Sequence, residues 1–196
     1  KNAGIKELLQ AIGKFSDCFH VKFRDIHSDF KVQKDIDAII LSGSKARIVN
    51  SSRRNMFRET INLVKRLKLP TLGICYGMQL ICWFLGCEPA TLSKSVIDVF
   101  EQVRVLEIDE IFAGYKINQT ITLAQSHNDY IKRDSVDAAG FLLLADSPSC
   151  EVEAVKHRHN PFYGVQFHPE RTEIKGQRSL EGHKILENFF KNVVRK

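Results

Sequence analysis

The chain has 196 residues, 43% hydrophobic and 27% charged, with a formal net charge of +6. This size suits one soluble domain with its own core, and apolar runs such as 80–85 are too short to cross a bilayer. The basic residues are scattered and do not alternate with aromatic ones, which argues against a nucleic-acid platform. We therefore expect a globular protein that binds neither a membrane nor a nucleic acid. Its basic surface would still suit an acidic partner.

Helices and strands alternate in the first half of the chain. The continuous apolar run over 36–41 is typical of a strand buried on both faces of a parallel sheet. Pro70 ends a preceding amphipathic helix, because proline disfavours helical geometry in the residue before it. The predicted elements are helices over 5–12, 55–67 and 77–85 and strands over 18–23, 36–41 and 71–74.

The second half predicts more strands and a closing helix. Its strands are predicted over 96–108, 119–123, 140–145, 152–156 and 162–167, and its helix over 182–194. The fold class is therefore α/β, with a mostly parallel central sheet, helices on both faces and a small antiparallel region. We expect residues 1–196 to form a single domain. Because such a sheet normally begins with a strand, we also expect an opening strand to precede this sequence in the natural protein.

The cysteines indicate the cellular compartment of the protein, and the spacing of the histidines tests for a metal site. An odd number of cysteines without close pairing predicts reduced thiols and a cytoplasmic protein. His157 and His159 have no neighbouring cysteine or acid at zinc-ligand spacing, so no metal site is expected. The cysteines are Cys18, Cys75, Cys82, Cys87 and Cys150.

One cysteine lies between two glycines where a strand gives way to a helix. Gly73-Ile-Cys75-Tyr-Gly77 has the form of a nucleophile elbow, with sulfur in place of a serine oxygen. The glycines permit a tight turn, and the amino end of the following helix would stabilise negative charge on the sulfur. A small residue packed in an ordinary strand-to-helix turn is the alternative interpretation.

A base for this nucleophile is found near the other end of the chain. An apolar strand ends at His168, and Glu170 follows after Pro169. This spacing lets the carboxylate accept the imidazole N–H and fix its tautomer. A surface His-Pro turn is the alternative.

Both motifs together resemble a known family. Gly-Ile-Cys-Tyr-Gly-Met-Gln at 73–79 and Gly-Val-Gln-Phe-His-Pro-Glu at 164–170 resemble the paired motifs of class I (triad) glutamine amidotransferases. The resemblance covers nearly the whole chain and implies a flavodoxin-like fold and a glutaminase. It implies that Cys75 attacks glutamine, His168 transfers protons and Glu170 orients the imidazole. It also implies that Gln79 helps to bind glutamine and that the backbone N–H of Tyr76 stabilises the oxyanion.

Further stretches resemble the amidotransferase part of GMP synthases. The stretch Ser126-His127-Asn128-Asp129 is similar to a Ser-His-x-Asp stretch in which the serine and histidine lie near bound glutamine and the aspartate faces the synthetase. A polar loop is the alternative interpretation of this stretch. No ATP-pyrophosphatase domain is present, so the resemblance implies a separate synthetase that binds ATP and Mg²⁺, while this chain needs no cofactor.

The other branches of the amidotransferase family fit this sequence less well. However, the loop after the second buried strand departs from the GMP synthase pattern. Anthranilate and aminodeoxychorismate synthase subunits are the nearest alternatives, and a low-activity glutamine-sensing or scaffold protein is another. Where the family has Leu-Ser-Gly-Gly-Pro, this chain has Leu41-Ser42-Gly43-Ser44-Lys45. In the family this loop supplies the other oxyanion N–H, so the resemblance implies that Gly43 and Ser44 have this role here. Serine reaches glycine-like backbone angles only with strain, so we expect it either to hold the loop in a resting state, with its N–H turned away until a partner docks, or to adopt a different loop that still serves.

Overall fold

The computed structural model describes residues 3–32 and 35–195, and its main feature is a seven-stranded sheet. The sheet has the order β1-β2-β7-β6-β5-β3-β4, and β8 and β9 form a separate hairpin. The strands are β1 (Ile39–Leu41), β2 (Thr71–Ile74), β3 (Pro89–Val105), β4 (Thr120–Ile131), β5 (Phe141–Asp146), β6 (Ala154–His157), β7 (Phe162–Val165), β8 (Glu173–Ile174) and β9 (Gln177–Arg178). The helices are α1 (Ala3–Ile12), α2 (Ser51–Asn55), α3 (Arg58–Leu67), α4 (Tyr76–Phe84) and α5 (Glu181–Asn188), which continues as a π-helical turn over Phe189–Val194.

The predicted α/β class is confirmed, but the expectation of a mostly parallel sheet with a small antiparallel region was wrong, because most strand pairs are antiparallel. Parallel pairing joins only β1 to β2 and β2 to β7. The other pairs within this sheet, β7–β6, β6–β5, β5–β3 and β3–β4, are antiparallel. The reason is the connection length, because the short links between β5 and β6 and between β6 and β7 cannot carry a crossover helix.

Three predicted elements differ from the structure. The strand expected over 18–23 does not form; that segment lies outside the sheet and ends in a 3-10 turn at Phe23–Asp25. The alternating pattern there does not reflect burial, since Phe19 is 55% exposed. The helix expected over 55–67 is divided into α2 and α3, and the one expected over 182–194 changes to π geometry after Asn188.

Helices cover both faces of the sheet. Alternate residues of β7 point into different cores: Phe162 packs with α3 and α4, whereas Tyr163 and Val165 pack with α1 and α5. Within the described part of the chain, no helix combines the length and apolar character that crossing a membrane requires.

The sheet also determines where the sequence motifs meet. β1, β2 and β7 run parallel, so the residues that follow Leu41, Ile74 and Val165 emerge at one edge. Ligand and catalytic sites of open α/β sheets form at this carboxyl edge.

Candidate active site

Cys75 lies in a strained turn between β2 and α4. Its backbone has φ 51° and ψ −108°, a conformation that non-glycine residues rarely adopt. Its N–H donates to the carbonyl oxygen of Val165 at 2.7 Å, which fixes the turn to β7. A Cβ on Gly73 would lie 2.5 Å from the nitrogen of Met78, and one on Gly77 would lie 2.1 Å from the oxygen of Leu41. The turn can therefore pack against β1 and α4 only if both flanking residues are glycine.

His168 and the buried Glu170 form a hydrogen-bonded pair facing this cysteine. His168 Nδ1 and Glu170 Oε1 are 2.8 Å apart, and the Glu170 side chain is 6% exposed. The backbone N–H of His168 donates to the carbonyl oxygen of Ala124 in β4 at 2.8 Å. Burial lowers the pKa of His168, but hydrogen bonds to Cys75 and Glu170 outweigh it and raise the pKa to about 10. The imidazole therefore holds a proton beside the sulfur at neutral pH.

The loop after β1 reaches the same place. A Cβ on Gly43 would lie 3.0 Å from Cε1 of His168 and 3.7 Å from Cβ of Cys75, so the Gly43 backbone borders both side chains. Tyr76 is the first residue of α4, where the backbone N–H has no acceptor within the helix. Gly43 and Tyr76, two of the three residues predicted to form the oxyanion hole, therefore lie beside the nucleophile.

Ser44 adopts an unstrained backbone. It is not among the residues with positive φ, and its hydroxyl accepts the N–H of Ala46 at 3.1 Å in a local turn. Serine therefore fits the backbone that this loop adopts, and its part in the oxyanion hole stays a prediction.

Gln79 and Gln166 connect the nucleophile to β4. The Gln79 amide nitrogen donates to the carbonyl oxygen of Asp129 at 2.7 Å and to Oε1 of Gln166 at 2.9 Å. Gln166 Nε2 in turn lies 3.6 Å from Sγ of Cys75 and donates to it. Gln166 was not predicted from the sequence as a site residue, although it lies two residues before the predicted base and follows the buried strand β7 directly.

The stretch Ser126–Asp129 belongs to β4 rather than to a loop. The carbonyl oxygen of Ser126 lies 3.8 Å from Sγ of Cys75. His127 is buried, which lowers its pKa to about 4 and keeps the imidazole neutral. Its Nδ1 lies 3.2 Å from the carbonyl oxygen of Asp129, and its Nε2 has no hydrogen-bond partner among the residues that the structure describes.

The placement of Asp129 on a partner-facing surface needs correction. The Asp129 side chain is 3% exposed and forms a bidentate pair with Arg47, at 2.8 Å from Nε to Oδ2 and 2.5 Å from Nη2 to Oδ1. Burial of a carboxylate is tolerated here because the guanidinium neutralises it. The half-exposed member of the pair is Arg47, so the surface at this point is basic.

A second buried polar cluster lies behind the site. Ligand-type atoms of His127, Cys150 and Glu153 lie within 4.8 Å of one another. Glu153 is fully buried, and burial raises its pKa to about 7 although Gln125 and Ser147 donate to its Oε1. Within the described part of the chain, its Oε2 has no hydrogen-bond partner. A proton on Oε2 would give this cluster of acceptors a donor. All five cysteines of the chain are free thiols.

The fold and the site define a class of protein. An α/β sheet holds a strained cysteine at its carboxyl edge, and a hydrogen-bonded histidine–glutamate pair faces the sulfur, as in enzymes that form a thioester with their substrate. The family model for glutamine amidotransferase class-I matches residues 3–193, and the chain belongs to this family. The family predicted from the two motifs is confirmed.

Individual relatives of this chain are named as GMP synthases or as subunits of them. A subunit of the glutamine-hydrolysing GMP synthase of Methanothermobacter thermautotrophicus is 34% identical over 161 residues, which cover 81% of this chain and 76% of the relative. Its counterpart in Methanosarcina acetivorans is 32% identical over 182 residues, covering 91% of this chain and 90% of the relative. The GMP synthase of Francisella philomiragia is 30% identical over 194 residues, but the chain spans only 33% of its length.

Solved structures agree with this fold. A Thermoplasma acidophilum protein assigned as a GMP synthase subunit superposes with a TM-score of 0.79 at 25% identity, over 95% of this chain and 86% of that one. A Thermotoga maritima glutamine amidotransferase superposes with a TM-score of 0.59 at 18% identity, over 71% of this chain and 60% of that one, which supports the fold alone.

Proposed function

We propose that this chain is the glutamine-hydrolysing subunit of a two-subunit GMP synthase. It converts L-glutamine to glutamate and ammonia, and a separate ATP-dependent synthetase uses the ammonia to convert xanthosine monophosphate to GMP. The observation that carries the proposal is the elbow cysteine facing His168 and Glu170, in a chain whose relatives include proteins named as subunits of GMP synthase. The names of the relatives do not favour the anthranilate or aminodeoxychorismate branch.

The first half of the reaction releases ammonia. The sulfur of Cys75 attacks the side-chain carbonyl carbon of glutamine, and the carbonyl oxygen becomes an oxyanion. The N–H groups of Tyr76 and of the Gly43–Ser44 loop stabilise this charge. The proton held by His168 passes to the amide nitrogen, the C–N bond breaks, and ammonia leaves a γ-glutamyl thioester.

The second half regenerates the enzyme. His168, now neutral, removes a proton from water, and the resulting hydroxide attacks the thioester carbon. The second oxyanion collapses, the C–S bond breaks, and the Cys75 thiolate is restored beside His168, which keeps the proton taken from water, while the new carboxyl group of glutamate releases its proton to solvent. Glu170 orients the imidazole and stabilises its charged form in both halves.

The substrate is held mainly by groups from α4 and β4. The amide nitrogen of Gln79 is already bonded within the protein, so its carbonyl oxygen is the atom left to accept a bond from the α-ammonium group of glutamine. Ser126 and His127 border the same space. No step draws on a metal or cofactor bound to this chain, and ATP and Mg²⁺ belong to the synthetase.

Covalent labelling tests the nucleophile. 6-Diazo-5-oxonorleucine, a glutamine-like electrophile, should label Cys75 and spare Cys82 in α4 and Cys87 after it, both of which are buried in the core that α3 and α4 form with the sheet. His168→Ala should lower turnover by about 10²–10⁴-fold, and Glu170→Gln by less, because orientation is secondary to proton transfer. Labelling of another cysteine, or normal turnover in both variants, would refute the assignment.

A further inference from the structure

A basic pocket of about 490 Å³ lies beside the loop that follows β1. We define this basic pocket by four cations contributed by separate segments: Arg24 before β1, Lys45 and Arg47 in the loop, and Arg53 in α2. None of the described residues that line it is acidic. It does not include the nucleophile, the base or the β4 residues of the candidate active site.

Most of this positive charge is uncompensated. Arg47 has a partner in Asp129, but Arg24, Lys45 and Arg53 have no ion-pair partner among the residues that the structure describes. All three are exposed. Gathering like charges in one concave surface creates a field that attracts an acidic group. The pocket therefore favours an acidic occupant.

The apolar part of the pocket favours a protein as that occupant. Phe23, Met56 and Phe57 line it beside the cations, and Met56 is 45% exposed. Arginine, methionine and aromatic residues are the types enriched at protein interfaces. A small phosphate would need convergent donors, but the cations are long exposed side chains, and the start of α2 is already capped by Asn50, whose Oδ1 accepts the N–H of Arg53 at 3.1 Å.

Two contacts connect the pocket to the candidate active site. Phe23 packs on Phe57 with ring centroids 4.4 Å apart, and Phe57 packs on Tyr76, the residue after the nucleophile, at 5.1 Å. On the other side, Arg47 holds Asp129, whose carbonyl oxygen accepts from Gln79. A ligand in the pocket would thus press on both the oxyanion side and the glutamine-binding side of the site.

We propose that the basic pocket is the docking site for an acidic, partly apolar segment of the synthetase, and that docking adjusts the active site through Arg47 and Phe57. This inference rests on the proposed function, since it takes the synthetase as the partner. The segment contributes aspartate or glutamate side chains to Arg24, Lys45 and Arg53 and an apolar side chain to the floor formed by Phe23 and Phe57.

The test uses the full chain and the purified synthetase from the same organism. The double variant Arg24→Glu/Arg53→Glu reverses two pocket charges without touching the nucleophile, base or oxyanion loop. The control Lys6→Glu/Lys116→Glu makes the same change in net charge at exposed lysines outside the pocket. Binding is measured by calorimetry at two salt concentrations, and glutamine turnover is measured with and without the synthetase.

We expect the pocket variant to weaken synthetase binding at least tenfold and to reduce its salt dependence, while the control binds like the wild type. Turnover of the isolated pocket variant should stay at the wild-type level, and activation should require more synthetase. Wild-type affinity in the pocket variant, or an equal loss in the control, would overturn the docking proposal. Tight binding of ATP or xanthosine monophosphate by the isolated chain, lost in the pocket variant, would also overturn it, because the pocket would then serve a nucleotide.

These measurements separate the two proposals. If the wild-type chain binds the synthetase through the pocket but releases no ammonia from glutamine, the docking proposal stands and the proposed function fails. If glutamine is hydrolysed and both variants bind the synthetase normally, the function stands and the docking proposal fails. If the wild-type chain does not bind the synthetase, both are refuted.

Discussion

At the scale of single residues, the chemistry of the site depends on how each polar atom near Cys75 is used. The sulfur borders three groups: the His168 imidazole, the Gln166 amide and the Ser126 carbonyl oxygen. Two of these can donate to a thiolate, whereas the carbonyl can only accept from a thiol. The environment thus contains bonds suited to either protonation state, and the balance among them positions the nucleophile.

Gln166 is a positioning residue by this argument. Gln166→Glu keeps the acceptor for Gln79 but removes the N–H donor to sulfur. We expect turnover of glutamine to fall about tenfold or more with little change in KM, since a hydrogen bond to a charged group contributes about 1.5–3 kcal/mol. Alkylation of Cys75 by iodoacetamide at pH 7 should slow in parallel. Gln102→Glu, at an exposed position of β3, is the control. Normal alkylation and normal turnover in Gln166→Glu would refute the positioning role of Gln166.

Glu153 makes a prediction about stability and pH. The folded state keeps a proton on this carboxyl up to about pH 7, whereas the unfolded chain loses it near its ordinary pKa of about 4.5. The folded protein therefore loses stability as pH rises between these values, and the loss is complete above about pH 7. The free energy of unfolding of Glu153→Gln, taken relative to the wild type, should therefore be higher at pH 8 than at pH 5. The full pKa shift of Glu153 corresponds to roughly 3 kcal/mol.

Urea unfolding at pH 5 and pH 8 measures this difference, with the exposed neighbour change Glu151→Gln as the control. The control should show no such change between the two pH values. A Glu153→Gln difference from wild type that is the same at both pH values would mean that the carboxyl is ionised in the fold.

At the scale of elements, the elbow depends on close contact between α4 and β1. In Gly77→Ala the new Cβ would lie 2.1 Å from the Leu41 carbonyl oxygen, a backbone atom that cannot rotate away. Overpacking of this kind typically costs about 1–3 kcal/mol, so we expect a loss of about 2 kcal/mol or more in the free energy of unfolding. Gly4→Ala in α1 has open space around it and should be neutral or stabilising. Equal melting temperatures for the two variants would contradict this packing.

The sequence predicted the local elements of the site better than its long-range connections. The cysteine between Gly73 and Gly77 and the strand before His168 carry local patterns, and both lie at the sheet edge as expected. The Arg47–Asp129 pair joins residues from different segments and leaves no periodicity or spacing in the sequence. The pairing of strands also joins distant segments and leaves no local pattern in the sequence. The antiparallel part of the sheet was underestimated for this reason.

At the scale of the whole molecule, the site lies where two parts of the sheet meet. The parallel part supplies the Gly43 loop and Cys75, while β4 supplies Ser126 and the carbonyl oxygen of Ala124 that holds the His168 backbone. Part of the chain's positive charge is gathered in the basic pocket, beside the loop that follows β1. A synthetase docked at the basic pocket would contact the loop over 44–47, which follows Gly43, so we expect glutamine hydrolysis by the isolated chain to be weak and to rise when the synthetase binds.

The central claim is that this chain draws ammonia from glutamine through Cys75 and delivers it to the synthetase. The most direct measurement supplies glutamine labelled with ¹⁵N at the side-chain amide, together with the synthetase, ATP, Mg²⁺ and xanthosine monophosphate, and determines the ¹⁵N content of the GMP by mass spectrometry. We predict ¹⁵N-labelled GMP with the wild-type chain and none with Cys75→Ala, although added ammonia still supports GMP formation in both. Labelled GMP from the Cys75→Ala mixture, or none from the wild-type mixture while added ammonia is used normally, would contradict the account.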